Sequence, residues 1–528
     1  MSIFRRPIGV AGLLAAWAAV ALAAGLARAA EPAAADPAAG KATITLTPEA
    51  YYRGAYNNAH RRMQGRYTGD GWTWHARYTM DGFLDGYLAT RDPAWLDAAV
   101  KYFDWTISLL LAGPDGCKGW LGPVPGQPGK FGEHPIGDAI MMDPMVRFAA
   151  MVLKDEPALT TKYGDRARAY VALAKELMFE KWQKRGTWHE DGPYGVFTEW
   201  PRHYTEQEPN RWHDPLAGTR TITLPFNMQV HWGMVAGRIH YITGEPAWRQ
   251  KALKLFNFLK SRLCLYKDHY CWNYWEPFGA WDVDPGKAQA FRHWINTHAY
   301  RDYQAGEVRA MVEAYNLGLT FDAEDMKRLV NTNIKVMWTG SLDDIKWNNT
   351  HAGVQKGAYG RIRLASKPTG IFNRYAGTLW TDLVQFDATA RRIYEKQLKP
   401  GSYQHAYYNN VTRQREPSYK RRRPDLPADV LDHPFSSCCT LTMVTVIPST
   451  IERGKPAVVA CLARAAGDLK IELTTADGTK KLATLREAAK QAEGVFNLTW
   501  QTKDTAPGRY RIRWTLRGEH RDFPITVR

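Results

Sequence analysis

Asn227 and His231 stand four residues apart in LPFNMQVHWGMVAGRIHY, and His298, Tyr300, Arg301 and Tyr303 crowd into HWINTHAYRDY, residues 293–303. An amide, an imidazolium and a guanidinium can each hold an anion, while imidazole and phenol can move a proton once their surroundings tune them. In a helix from about 298 to 317, steps of three and four place 298, 301, 305, 308, 312 and 315 on one stripe. It reads His, Arg, Ala, Val, Val, Tyr: a core below, and His298 with Arg301 at the top beside the free amides of a helix start, where an anion is favoured. The same steps put Asn227, His231, Met234, Arg238 and Tyr241 on the stripe of another helix, with Asn227 and His231 at its entrance. The plain alternative is that each histidine is a core residue bonded to a carbonyl and that the other polar groups cap.

Between the two stretches lies HYCWNYWEPFGAWD, residues 269–282, with Trp272, Tyr274, Trp275 and Glu276. Flat aromatic faces in an extended loop suit sugar rings, although so many together can also plug a core. GDGWTWHARYTMDG, residues 69–82, supplies a second candidate platform in Trp72, Trp74, His75 and Arg77. Hydrolysis of a glycosidic bond would instead need two carboxyl groups. Asp81 with Asp85, Asp138 with Asp143, Glu276 and Asp302 are the candidates.

The elements that must position these groups are mainly helical. Arg5 and Arg6, an apolar run and Ala27-Arg28-Ala29 have the layout of a secretory signal peptide over residues 1–29, followed by a flexible segment, 30–44. The expected location is periplasmic or secreted. GYLATRDPAWLDAAVKYFDWTISLLL (86–111) and GRIHYITGEPAWRQKALKLFNFLKSRL (237–263) repeat one plan of helix, Pro-Ala-Trp turn and helix. Asp92 and Glu245 precede the prolines, placed to accept from the amides of the second helix. Looser copies occupy 136–182 and 303–338, and a weak fifth pair 371–398. Repeated helical hairpins close into a solenoid or an α/α toroid, and the long Trp- and Gly-rich connections favour a toroid over residues 45–400. A basic, Pro-rich linker fills 401–440. Alternating apolar runs from 441 to 528 predict an immunoglobulin-like β-sandwich.

Formal net charge is +17, of which Arg5, Arg6 and Arg28 of the leader contribute three. Such an excess attracts anions. Export together with 21 Trp and 26 Tyr points to an anionic polysaccharide rather than to nucleic acid or membrane. The expected state is a monomer without metal or cofactor. Among the six cysteines, Cys264 and Cys271 flank one loop and are placed to bridge in an oxidising compartment.

The order LPFNMQ, YITGEPAW, CWNYWEP, a His-bearing helix start and GLTFDAEDMKRLVNTNIKVMW resembles the secreted α/α-toroid polysaccharide lyases that act on uronic-acid polymers such as alginate and glucuronan. The resemblance covers about residues 45–400. It departs at Ile295-Asn296-Thr297-His298, where the family pattern places an acidic pair. It implies β-elimination, in which Asn227 and Arg301 bind the uronate carboxylate. His298 or His231 then serves as base or neutraliser, and Tyr300 or Tyr303 as base and acid. Both tyrosines can face one site only if the helix begins after them. The alternatives from other classes are a toroid glycoside hydrolase and a noncatalytic glycan-binding protein.

Overall fold

Apolar residues at helical spacing wind most of the described positions before residue 400, in a computed structural model that describes residues 47–63, 70–124, 127–213, 221–266, 268–282, 301–347, 378–397, 441–463, 466–492 and 494–528. The signal peptide, the 30–44 segment, the linker, His298 and Tyr300 lie outside them. Among the described residues no helix is long and apolar enough to cross a membrane. The chain divides into two compact units. The first holds the described residues up to Arg185 and from Glu199 to Thr221; the second holds Gly186–Thr198, Ile222–Gln397 and the strands after 440.

In the first unit, α1 (Pro48–Met63) and α2 (Asp70–Thr90) are followed by α3 (Ala94–Ile107), α4 (Pro135–Ala150), α5 (Thr160–Ala174) and α6 (Lys181–Lys184). A wider π-type turn, Lys175–Glu180, joins α5 to α6. The α2–α3 hairpin forms at the Pro-Ala-Trp turn, and Asp92 Oδ1 accepts the Ala94 amide at 2.9 Å, as a cap should. The hairpin closes so tightly that a Cβ on Gly86 would sit 2.5 Å from the Trp95 indole. Gly86→Ala is expected to destabilise the protein by about 1–3 kcal/mol, read as a lowered midpoint in urea, because the indole has no room to retreat.

In the second unit, α7 (Phe226–Thr243) and α8 (Pro246–Arg262) make the other Pro-Ala-Trp hairpin, with Gly244 left-handed at φ 76° to end α7. Glu245 does not cap α8: its carboxylate receives the Trp248 indole at 2.9 Å. α9 (Arg301–Asn316) lies against α7, and α10 (Ala323–Val330) starts at a capping box of Asp322 and Asp325. Lys260 and Tyr270 both bind Asp325, at 2.8 and 2.6 Å, tying α8 and the segment after it to α10. Of the expected fifth pair the described residues give a short turn, Thr381–Gln385, and α11 (Ala388–Gln397); 371–377 lie outside them. Cys264 and Cys271 face each other across a two-strand hairpin.

After 440 the chain forms two sheets. Leu441–Ile447, Pro456–Ala463 and Gly494–Gln501 pair antiparallel in one; the other orders Thr450–Ile451, Glu519–Val527, Gly508–Leu516, Gly467–Thr475 and Lys481–Gln491. Val459, Cys461, Ile471, Ile512, Trp514 and Phe523 fill the core between them. The sheets are integral to their unit. Asp191 accepts from the Ser449 amide at 2.9 Å and its hydroxyl at 3.0 Å, and the Arg262 guanidinium stands 4.6 Å from the Phe523 ring centre.

Candidate functional site

Pro225 sets the geometry from which the site is built. It is extended, at φ −58° and ψ 157°, so α7 starts abruptly and its first amides lack partners within the helix. A neighbour supplies one acceptor, the Tyr274 carbonyl taking the Phe226 amide at 3.1 Å, and the Glu307 carboxyl lies close enough to the Asn227 amide to feel its dipole. Trp272 donates its indole N–H to Glu307 Oε2 at 2.6 Å. Tyr303, one turn before Glu307 on α9, stacks on Tyr274 with ring centres 6.2 Å apart and planes 16° from parallel. Further along, Arg238 grips Glu313 with Nε and, at 2.6 Å, Nη2, fixing α7 against α9.

The start of α7, the 269–282 segment and the first turns of α9 thus meet at one place. Asn227, Tyr303, Trp272 and Tyr274 are brought together there, and His231 lies one turn below Asn227. Asn227 is 7% exposed and His231 5%, while Tyr303 is half-buried. Arg301 is the first described residue of α9; nothing is described of its side chain or that of Asp302, nor of His298 and Tyr300.

The segment 269–282 is held rigidly. Asp282 accepts from the Thr223 amide and hydroxyl at 2.8 and 2.7 Å and from the amides of Phe278 and Gly279 at 2.8 and 3.1 Å. Its aromatics are packing rather than an exposed platform. Trp275 is wholly enclosed and spends its N–H on the Thr223 carbonyl at 2.7 Å, and Trp272 and Tyr274 are buried. Glu276 is equally buried. It accepts from Asn273 at 2.5 Å in the field of Arg521 and Arg262, and burial still raises its carboxyl above the usual range. Such a charge is internal structure, not a sugar contact.

The second expected platform is a helix. Trp72 is 1% exposed and meets Trp105 edge-on, so its faces are spent. Trp74 and His75 are half-buried on α2, and burial, aided by Arg62, lowers the His75 imidazole to about 4, leaving it neutral. Arg77 faces Asp81 and Asp143 at 3.7 and 3.5 Å. The paired carboxylates are likewise claimed by cations. Arg147 bonds Asp81 at 2.9 Å and Asp85 at 2.7 Å, and Asp138 meets Lys181 at 2.7 Å.

Glu307 escaped the sequence reading. The buried face of α9 runs through Gln304, Glu307, Val308, Met311 and Ala314, rotated from the expected stripe. It therefore carries a carboxyl inward, four residues after Tyr303. Burial pushes that carboxyl up to about 8, with Trp272 and the Asn227 amide pulling the other way. It is neutral at neutral pH. The signal was present as an acidic residue on an otherwise apolar three-and-four stripe.

No known family profile matches the chain, and no curated protein matches it. Among solved structures it is loosely similar to a glycoside hydrolase family 76 (mannosidase) protein from Bacteroides thetaiotaomicron VPI-5482, at 14% identity over 62% of this chain and 71% of that one, with a TM-score of 0.35. Another is a GH127 beta-L-arabinofuranosidase from Geobacillus stearothermophilus T6, at 10% identity over 90% of this chain and 75% of that one, with a TM-score of 0.26. At those scores neither likeness decides fold or activity.

Proposed function

We propose that the chain is a carbohydrate-active enzyme that works outside the cytoplasm and cleaves an acidic, uronate-containing polysaccharide by β-elimination. The observation that supports this reading is that Tyr303 stacks on Tyr274, whose carbonyl receives the first amide of α7, the helix that carries Asn227 and His231 one turn apart. Elimination requires three things: the uronate carboxylate neutralised, the C5 proton removed, and a proton delivered to the departing O4. The Asn227 amide and the His231 imidazole suit the first, because donors fixed in a buried place stabilise charge as it develops on the carboxylate. The Tyr303 phenol suits proton transfer. Arg301, at the head of the same helix, adds a cation for the substrate, and His298 and Tyr300 complete the set taken from the sequence.

A second reading, hydrolysis, is favoured by one specific feature, the neutral carboxyl of Glu307, which is the state a general acid needs. Against it, Asp81, Asp85, Asp138, Asp143 and Glu276 all face cations. One incubation separates the readings. With alginate, glucuronan, hyaluronan or pectate, elimination creates a double bond seen as new ultraviolet absorbance. Reducing ends without absorbance would establish hydrolysis. Binding without either would leave a glycan-binding protein, and no binding to any of these polymers would overturn the proposal.

A further inference from the structure

Building on the proposed site, we infer that Glu307 is its positioning residue: one carboxyl group on α9 holds the segment before α9 through the Trp272 indole while α9 packs on α7, so that Asn227, His231 and Tyr303 keep a common orientation. Three elements that are distant in sequence converge on this single side chain, which is 1% exposed. Without it the Trp272 indole would lose its acceptor in a buried place and would turn toward some other partner. A shift of about 1 Å in Asn227 suffices to cost on the order of 10²-fold in rate.

The carboxyl does this as an acid rather than as an anion. Oε2 accepts the Trp272 indole, whereas Oε1 is buried without a hydrogen-bond partner, which suits a protonated oxygen better than a charged one. The charged groups on the surrounding elements have partners of their own. On α7, Arg238 is held by Glu313 of α9; in the 269–282 segment, Glu276 lies with Arg262 and Arg521; on α10, Asp325 holds Lys260. Further titratable groups on the elements around it are His231, His240 and Tyr241 on α7, His269, Tyr270, Cys271, Tyr274 and Asp282 in the 269–282 segment, Tyr303, Arg309 and Tyr315 on α9, and Asp382 in the Thr381–Gln385 turn. Above pH about 8 the proton leaves, and among the described residues no cation pairs with the charge left behind.

Two variants and two readouts test this. Glu307→Leu, which keeps neither acceptor nor proton, should lose kcat by on the order of 10²-fold with a smaller change in KM. Glu307→Gln keeps an acceptor oxygen without the charge. It should recover most of that loss and should lack the alkaline fall in kcat that wild type shows near pH about 8. The second readout needs no substrate: thermal transitions of wild type and Glu307→Gln, measured from pH about 5 to about 8, should diverge, wild type losing ground as pH rises. Parallel curves would overturn the neutral acid, and full kcat in Glu307→Leu would overturn the positioning role. If no polymer is cleaved, the elimination reading fails on its own and the thermal comparison still decides the state of Glu307. If Glu307→Leu does not fold, Glu307→Gln carries both readouts.

Discussion

Lys181→Met is expected to lower the unfolding free energy by about 3–5 kcal/mol, seen as a large drop in the urea midpoint, since it leaves buried carboxylates without their cation. The Lys181 ammonium is buried with Glu133 at 2.6 Å, Asp138 at 2.7 Å and the Lys118 carbonyl at 2.8 Å around it. Even the backbone makes room for this cluster, because a Cβ on Gly119 would lie 2.0 Å from Glu133 Oε2. The two acids differ in what remains after the substitution. Glu133 keeps Arg185 at 2.7 Å, which also holds Asp115. Asp138 keeps the Trp182 indole at 2.7 Å but no cation among the described residues, and burial already raises its carboxyl against the pull of Lys181.

In the variant, then, Asp138 should take up a proton, and the sign of the pH dependence follows. A folded-state carboxyl raised above its unfolded value contributes stability that is fully present below the unfolded value and is lost as pH rises. The deficit of Lys181→Met against wild type should accordingly be smaller in mild acid than at neutral pH. Adding Asp138→Asn should restore part of it. A deficit independent of pH would mean that lost packing, not an abandoned charge, is the cause.

The parts of the fold that could be read in advance are those in which local chemistry and tertiary packing agree. The Pro-Ala-Trp turns fixed both hairpins, and six alternating runs after 440 marked strands whose inward residues meet in one core. Lys481–Gln491 was not legible. It is exposed along nearly its whole length and rich in Ala and Lys, so neither alternation nor β propensity marks it, and pairing with Gly467–Thr475 alone makes it a strand. The aromatic stretches failed for a related reason. A row of Trp and Tyr has the same composition whether it lines a groove or fills a core, and here Asp282 folds the row inward. Carboxylate pairs misled similarly, since four-residue spacing sets Asp81 and Asp85 side by side but does not show that Arg147 lies across them.

At the site itself, the entrance of α7 was readable because proline, asparagine and histidine occur at helical spacing, whereas Glu307 required knowing how α9 is rotated. α7 is buried on every face from Phe226 to Ile239, so no stripe on it could set that rotation. It is set instead by side chains from other segments: Tyr274 against Tyr303, Trp272 against Glu307, and Arg238 with Glu313.

Tyr303→Phe should lower turnover of the preferred polyuronate by about 10²–10⁴-fold, the usual worth of one positioned acid or base. The substitution removes an oxygen and leaves the ring, so the stacking on Tyr274 persists and the thermal transition should move by no more than a surface substitution would. Because the phenol would act on a proton in flight rather than on bound substrate, the loss should fall on kcat with KM little changed. Asn227→Ala makes the contrasting case. Its amide is a donor to the carboxylate, so the expected loss is about 10²–10³-fold and is shared by substrate analogues that bind through the carboxylate. Asn227 Oδ1 is buried without a hydrogen-bond partner, so removing the side chain deletes a polar group that folding has not satisfied. Activity should therefore fall in Asn227→Ala without a matching fall in stability. Tyr303→Phe with unchanged kcat would move proton transfer to Tyr300 or a histidine, while loss of stability in both variants would return the whole cluster to the role of core packing.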